Sequence, residues 1–509
     1  MLAVNNGRSS GEDETEDDIL EKLGYKQELK RSFGVLGMIG FSFNIVSSWS
    51  ALAGVLIIGV QSGGPPVMIY SWLGVCTLTL TVAYSMAAMS ATVNFFVANF
   101  ALGMATLSYP EYVIERWHVV LLTWLVMLFS VTLNIFSRKL FDRLSTYILF
   151  WNIISLIAIL ITILTTNQDK KPARFVFSDF QNFTGFGASY AAIIGLLQSC
   201  FGMCCYDAPA HMTGKILPTT ICRHPKSSTQ ADKVIEEMKN ASKDAPKAIV
   251  TSVYIGAVTG FAFLIAVSFC IGDVEATAKS VTGVPFIQIL YDSTHSVVGT
   301  CFLTSMVLFA TFVGTTFLTA ESSRTLYAFA RDNGLPFSRV FAKVAAKQQV
   351  PINAVLLSGL VQLILNAIYF GTLTGFNTVI AIATEAFYLS YAMPILARIL
   401  AFVTGRVQHL PGPYSLGRYS IATNLVGLIF LTFCAVTFNF PTLAPVEKDN
   451  MNYTSAALGV IGLISLVNWI TTGRKKFKGP QITKGDAPVL APGTYTGRLS
   501  NSIYNEAKV

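Results

Sequence analysis

Apolar residues in this chain come in runs too long and too unbroken for the one-sided stripe that a helix shows when it packs in water. Twelve runs follow one another, at 34–60, 67–89, 92–107, 119–137, 144–166, 188–212, 248–271, 296–320, 352–370, 375–397, 419–440 and 455–472. Most reach the roughly 20 residues that a helix needs to cross hydrocarbon. The third has 16 residues and would rise only about 24 Å, short of a hydrocarbon core about 30 Å thick. The pattern predicts an all-α, multi-pass transmembrane helical bundle with one undersized member.

Composition agrees. Of 509 residues 52% are hydrophobic and 13% charged, and the mean hydropathy is +0.55, which is far more apolar than an ordinary soluble domain. Charge placement sets the orientation. With the N-terminus inside, the only basic residues in outer loops are Arg116, Lys170, Lys171, Arg174, Lys279 and Lys448; the rest of the 36 Lys and Arg fall inside. That asymmetry obeys the positive-inside rule and makes the net charge of +8 a topology signal, not one for nucleic acid. The partners it implies are a lipid bilayer and a small solute. The sequons Asn182-Phe183-Thr184 and Asn452-Tyr453-Thr454 fall in outer loops, and Asn240-Ala241-Ser242 falls inside. No removable signal sequence precedes the first run, so that run itself is expected to direct insertion. Residues 1–33 read as a cytoplasmic tail, 34–472 as the transmembrane domain and 473–509 as a second cytoplasmic tail.

Two of the long runs are interrupted. In the first, Gly34, Gly37 and Gly40 lead into Ser47-Ser48-Trp49-Ser50; in the sixth, GLLQSCFGMCCYDAPAHMT sets Asp207 beside Pro209 at membrane depth. Proline removes a helical donor, and freed backbone groups are tolerated in hydrocarbon only where they line a protected cavity. The first break suits an anion, because a helix start concentrates unpaired N–H groups and positive dipole. A plain helix-packing face made of small residues is the alternative there. Asp207 can bind a cation, carry a proton or cap a half-helix. Glu385 is the other deep acid, fit for proton coupling or for a bond to a neighbouring helix. Gln198, Asn134, Asn152 and Gln362 read as interhelical bonds, while Trp49, Phe201 and Tyr206 can face an ammonium group. Seven of the eight cysteines lie in apolar runs, as small hydrophobes do; Cys270 and Cys301 lie near outer ends and form a candidate pair. No cofactor and no metal site is expected, and no constellation of catalytic residues marks an enzyme.

The breaks, together with the segment from Ser323-Arg324-Thr325 to Gly334-Leu335-Pro336, resemble the amino acid/polyamine/organocation superfamily. YDAPAHM, EEMKNASKDAPKAI and PGPYSLGRY are similar to its fungal amino acid/choline branch, which includes GABA and choline permeases. The resemblance covers about 28–476. It implies a LeuT-type fold with a 5+5 inverted repeat plus two C-terminal helices, substrate binding at the first and sixth helices, and proton-coupled symport. By motif match Asn44, Ser47, Ser48 and Trp49 fall on the first-helix site, with Ser50 following, and Tyr206, Asp207 and Ala208 on the sixth, with Phe201 nearby.

Two departures from that pattern stand out. A cytoplasmic loop and the first half of the third helix are missing, so the third helix is expected to be truncated and its crossing tilted or locally thinned. Residues 214–235 are an insertion of different character, which reads as a retained intron. The resulting expectation is a permease for amino acids or related amines such as GABA, working by alternating access, in the plasma membrane first and the vacuolar membrane second. Choline or polyamine transport, a non-transporting nutrient sensor and a defective isoform are the alternatives.

Overall fold

The computed structural model describes residues 35–46, 48–82, 91–136, 138–208, 241–331, 334–335, 337–345, 348, 350–370, 375–405, 417–447 and 451–474. Both tails apart from a few C-terminal residues, the insertion 214–235, Ser47, Pro209 and the inner sequon fall outside these. Each predicted run is largely helical where it is described, the sixth being broken at 203–207. In chain order the membrane helices are α1 (Val35–Val46) and α2 (Ser48–Gln61), α3 (Gly64–Val82), α4 (Ala91–Ser108), α5 (Arg116–Phe136) and α6 (Arg138–Thr166). After the short outer helix α7 (Ala173–Phe177) comes α8 (Ala188–Gly202), then α9 (Ala241–Cys270). The outer helices α10 (Val274–Ala278) and α11 (Pro285–Thr294) precede α12 (Val297–Arg331). The short helix α13 (Ser338–Phe341) leads to α14 (Ile352–Ala367), α15 (Gly375–Val403), α16 (Ser420–Thr437) and α17 (Thr454–Asn468).

Among the described residues the sixth membrane segment is interrupted, at 203–207; the interruption expected in the first falls at Ser47, outside them. A two-residue antiparallel bridge, Ser62 with Asn182 and Gly63 with Gln181, ties the outer end of the first segment to the loop that leads into the sixth. Both outer sequons are held in turns of their own. Asn182 Nδ2 donates to Phe186 O at 2.6 Å and Asn452 Nδ2 to Phe438 O at 2.7 Å.

Two boundaries differ from expectation for physical reasons. The third segment has 18 residues, about 27 Å of helix, which is still at the short limit for a crossing. The eighth does not stop at residue 320: α12 has 35 residues, about 52 Å, because the polar residues past 320 turn inward. Glu321, Ser323 and Arg324 are buried, and Ser322 Oγ hydrogen-bonds Ser358 Oγ of α14.

Hydrocarbon gives helices no hydrophobic reason to associate, so close packing and polar ties hold the bundle together. Asn94 Nδ2 of α4 donates to Gln362 Oε1 of α14 at 2.8 Å, and Thr315 Oγ1 of α12 donates to Asn94 Oδ1 at 2.5 Å. Asn134 Nδ2 of α5 donates to Thr316 O of α12 at 3.0 Å. Three of the four amides read as interhelical bonds therefore act so. Gln198 is fully buried with neither amide atom hydrogen-bonded among the described residues. Cys270 and Cys301 are both free: Cys270 Sγ donates to Ile163 O, and Cys301 Sγ lies 3.6 Å from Ser108 Oγ, so the two thiols face different helices.

Candidate substrate site

α1 is helical to Val46 and α2 from Ser48, so the break expected at Ser47 lies outside the described residues; the second break is visible residue by residue. α8 closes at Gly202 with the N–H groups of Met203 and Cys204 turned back to Cys200 O and Phe201 O at 3.3 and 3.2 Å. Cys205 adopts a left-handed backbone, φ 63, which reverses the chain before Tyr206 and Asp207, and helix resumes at Ala208. A non-glycine residue in that region costs free energy, and such outliers gather where a fold needs an unusual shape.

The second break touches the first segment. Ser48, the first residue of α2, sends its hydroxyl to Met203 Sδ at 3.9 Å. From the other half-helix, Ser42 Oγ donates to Ser252 Oγ of α9 at 2.8 Å and sits 3.3 Å from Tyr206 O. Gly256 of α9 makes room for this meeting, since a Cβ there would run into Ser48 Oγ. The side chains around Ser48 are buried: Asn44, Ser48 and Trp49 fully, Ser50 to 1% exposure.

Two donors at this point are unused. Asn44 Oδ1 accepts from Asn152 Nδ2 of α6 at 2.5 Å, but Asn44 Nδ2 and Trp49 Nε1 are buried with no hydrogen-bond partner among the described residues. An orphan donor in a low dielectric costs about 1–3 kcal/mol, so a carbonyl or carboxylate reaching either of them would relieve that cost. Asn152, read from sequence as helix glue, thus acts on the site itself by fixing the Asn44 amide. Replacing Asn152 with Leu should leave Asn44 to rotate and raise the transport KM about tenfold at unchanged surface expression; an uptake titration checks it.

On the opposite side Asp207 is 1% exposed. Its Oδ1 accepts a hydrogen bond from Tyr391 of α15 at 2.8 Å. The rings of Tyr206 and Tyr391 are 5.1 Å apart, and Tyr388 lies 6.5 Å beyond Tyr391. A carboxylate walled by aromatic faces is a receptor for an ammonium group. Phe201 meets Phe96 of α4 edge-on at 5.4 Å. Above that pair an outer cavity of about 380 Å³ is lined by Gly54, Ile57, Phe96, Asn99, Phe100 and Tyr369, an entrance from outside.

Glu385 is not part of this cluster. It lies on α15 six residues before Tyr391, and its Oε1 accepts from Asn439 Nδ2 at 2.8 Å, just past the outer end of α16. That is the helix-to-helix bond, the other role open to it. Sequence reading missed two residues that matter more. Tyr391 has no motif to announce it, and Glu321 looked like a loop residue although it is 1% exposed and within electrostatic reach of Asp207.

An all-helical membrane bundle in which a segment broken at a buried acid meets polar residues of the first segment has the architecture of a secondary transporter. The family described as amino acid permease matches residues 230–464. A putative amino acid/polyamine transporter of Macrophomina phaseolina is 51% identical over 82% of this chain and 97% of its own length. The choline transporter of Saccharomyces cerevisiae is 28% identical over 88% and 83%, and an amino-acid permease BAT1 homolog of Oryza sativa 27% over 91% and 94%. The chain belongs to the amino acid permease family, in a fungal branch of the amino acid/polyamine/organocation superfamily. It is a transmembrane transporter of amino acids or amines and not an enzyme. An alignment of 462 positions that uses 82% of a 509-residue chain leaves dozens of the relative's positions without a counterpart here, in keeping with an absent loop and half-helix.

Proposed function

We propose that the chain takes up a small amino acid whose ammonium and carboxylate are well separated, GABA-like solutes first, by proton-coupled alternating access across the plasma membrane. The single observation that carries this reading is the pairing of opposite receptors. Buried unused donors, Asn44 Nδ2 and Trp49 Nε1, lie beside the N-terminal end of α2, while an acceptor walled by tyrosines, Asp207 with Tyr206 and Tyr391, lies at the other break. The carboxylate goes to the donors, the ammonium to Asp207 and the aromatic faces. Because a carboxylate that holds the ammonium cannot carry a proton at the same time, the co-transported proton is assigned to the other deep acid, Glu385, whose Oε2 is buried with no hydrogen-bond partner among the described residues. Ser50 and Ala208, both buried, complete the set; Ser47 lies outside the described residues.

The tyrosine wall favours a second reading. Choline, which has no carboxylate, would use Trp49, Tyr206, Tyr388 and Tyr391 as an aromatic cage and leave the Asn44 amide idle. Uptake of labelled GABA, choline and spermidine by a strain lacking its own carriers separates the two readings, and binding without uptake of any of them would indicate a sensor. The insertion 214–235 follows directly on the second break, so a chain lacking it should transport severalfold faster; equal rates for the two chains would contradict that.

A further inference from the structure

On the side of α8 away from the substrate site, an apolar groove of about 520 Å³ runs between α3, α8 and α16. Val67 and Tyr70 of α3, Leu196 of α8, Phe430 and Phe433 of α16, and Phe180 of the outer loop form its walls. Tyr70 and Phe433 are exposed although both lie inside crossing helices, so the groove opens to the membrane and its occupant is hydrocarbon. It follows α3 from Val67 to Val75, about 12 Å of helix rise, most of the depth of one leaflet. A helix of a partner protein about 10 Å across would need roughly 900 Å³ over that length, far more than the groove offers. A lipid chain is what fits.

The polar end of the groove says which lipid. Phe180 is preceded by Asp179, whose Oδ1 lies 3.6 Å from Nε of Arg174; the Arg174 side chain is 86% exposed and belongs to α7, which packs on α3. A guanidinium at the interface above an apolar slot complements a phosphate above an acyl chain. A sterol carries no such charge. We infer that this groove binds one phospholipid of the outer leaflet, with an acyl chain between α3, α8 and α16 and its phosphate at Arg174. The bound chain backs α8 where α8 leads into the second break: Leu196 is seven residues before Met203, and one turn below Leu196 Cys200 Sγ lies 3.8 Å from Cys434 Sγ of α16.

The test uses the full chain in phosphatidylcholine vesicles containing sterol, with a photoactivatable diazirine on either the acyl chain or the sterol, followed by peptide mapping. The acyl probe should label peptides carrying Val67–Tyr70 or Ala192–Leu196. Ala192→Trp, which fills the slot, should abolish that label. Arg174→Ala, on an exposed side chain that folding does not need, should lower it about fivefold. Labelling of these peptides by the sterol probe instead, labelling that both substitutions leave unchanged, or none at all would overturn the assignment.

Discussion

Asp207→Asn should lower GABA uptake between ten- and a hundredfold while leaving the amount of protein at the cell surface unchanged. The substitution keeps the side chain's size and its ability to accept the hydrogen bond that Tyr391 donates at 2.8 Å. What it removes is the charge, and hydrogen bonds to charged groups are worth about 1.5–3 kcal/mol, a factor of ten to more than a hundred. Tyr391→Phe removes one neutral donor and should cost less, about fivefold. Initial uptake rates with surface biotinylation separate transport from folding. Asp207→Asn at wild-type rate would mean that the carboxylate only closes a half-helix.

The second large effect is structural. Gly40 lets α1 press against the backbone of α6: a Cβ at Gly40 would overlap Ser145 O, stand 3.0 Å from Ser145 C and lie 3.2 Å from Leu149 Cβ. A backbone carbonyl cannot rotate away as a side chain can. Gly40→Ala must therefore part the two helices, at a cost of about 1–3 kcal/mol from overpacking alone. The same seam carries the Asn152–Asn44 hydrogen bond one turn further on, so the parting reaches the site as well. Gly40→Ala should melt at lower temperature and lose most of its transport. Gly459→Ala on α17, where an added Cβ meets nothing within 4 Å, is the control and should match or slightly exceed wild type. Thermal unfolding of the detergent-solubilised proteins, followed by fluorescence, checks both.

Much of this architecture is written in local sequence. A crossing helix must satisfy all its backbone groups within one run of apolar residues, so each run carries its own signal, and a break stands out as glycine, serine, proline or acid inside such a run. Asn134 and Gln362 were legible for the same reason, since an amide in hydrocarbon has to find a partner helix. What the runs do not contain is the identity of partners far away in the chain. Tyr391 is separated from Asp207 by 184 positions, and neither residue's neighbours point to the other. Residues 321–324 were misread because polarity was taken for exposure. In α12 those polar side chains turn into the protein, and the helix continues past the lipid. Glu385 was read at the right depth, but its partner Asn439, 54 positions on and just past the end of α16, had no local signal.

The account rests on one solute bridging both breaks, its carboxylate at Asn44 and the start of α2, its ammonium at Asp207. Competition for labelled GABA on the purified chain tests this most directly, with butyrate and butylamine as competitors that each keep one charged end. Wild type should bind both analogues at least tenfold more weakly than GABA, and in Asp207→Asn the preference for GABA over butyrate should disappear while butyrate binding stays as it was. If Asp207→Asn still prefers GABA over butyrate as strongly as wild type, the ammonium does not sit at the second break and the two-ended site is wrong.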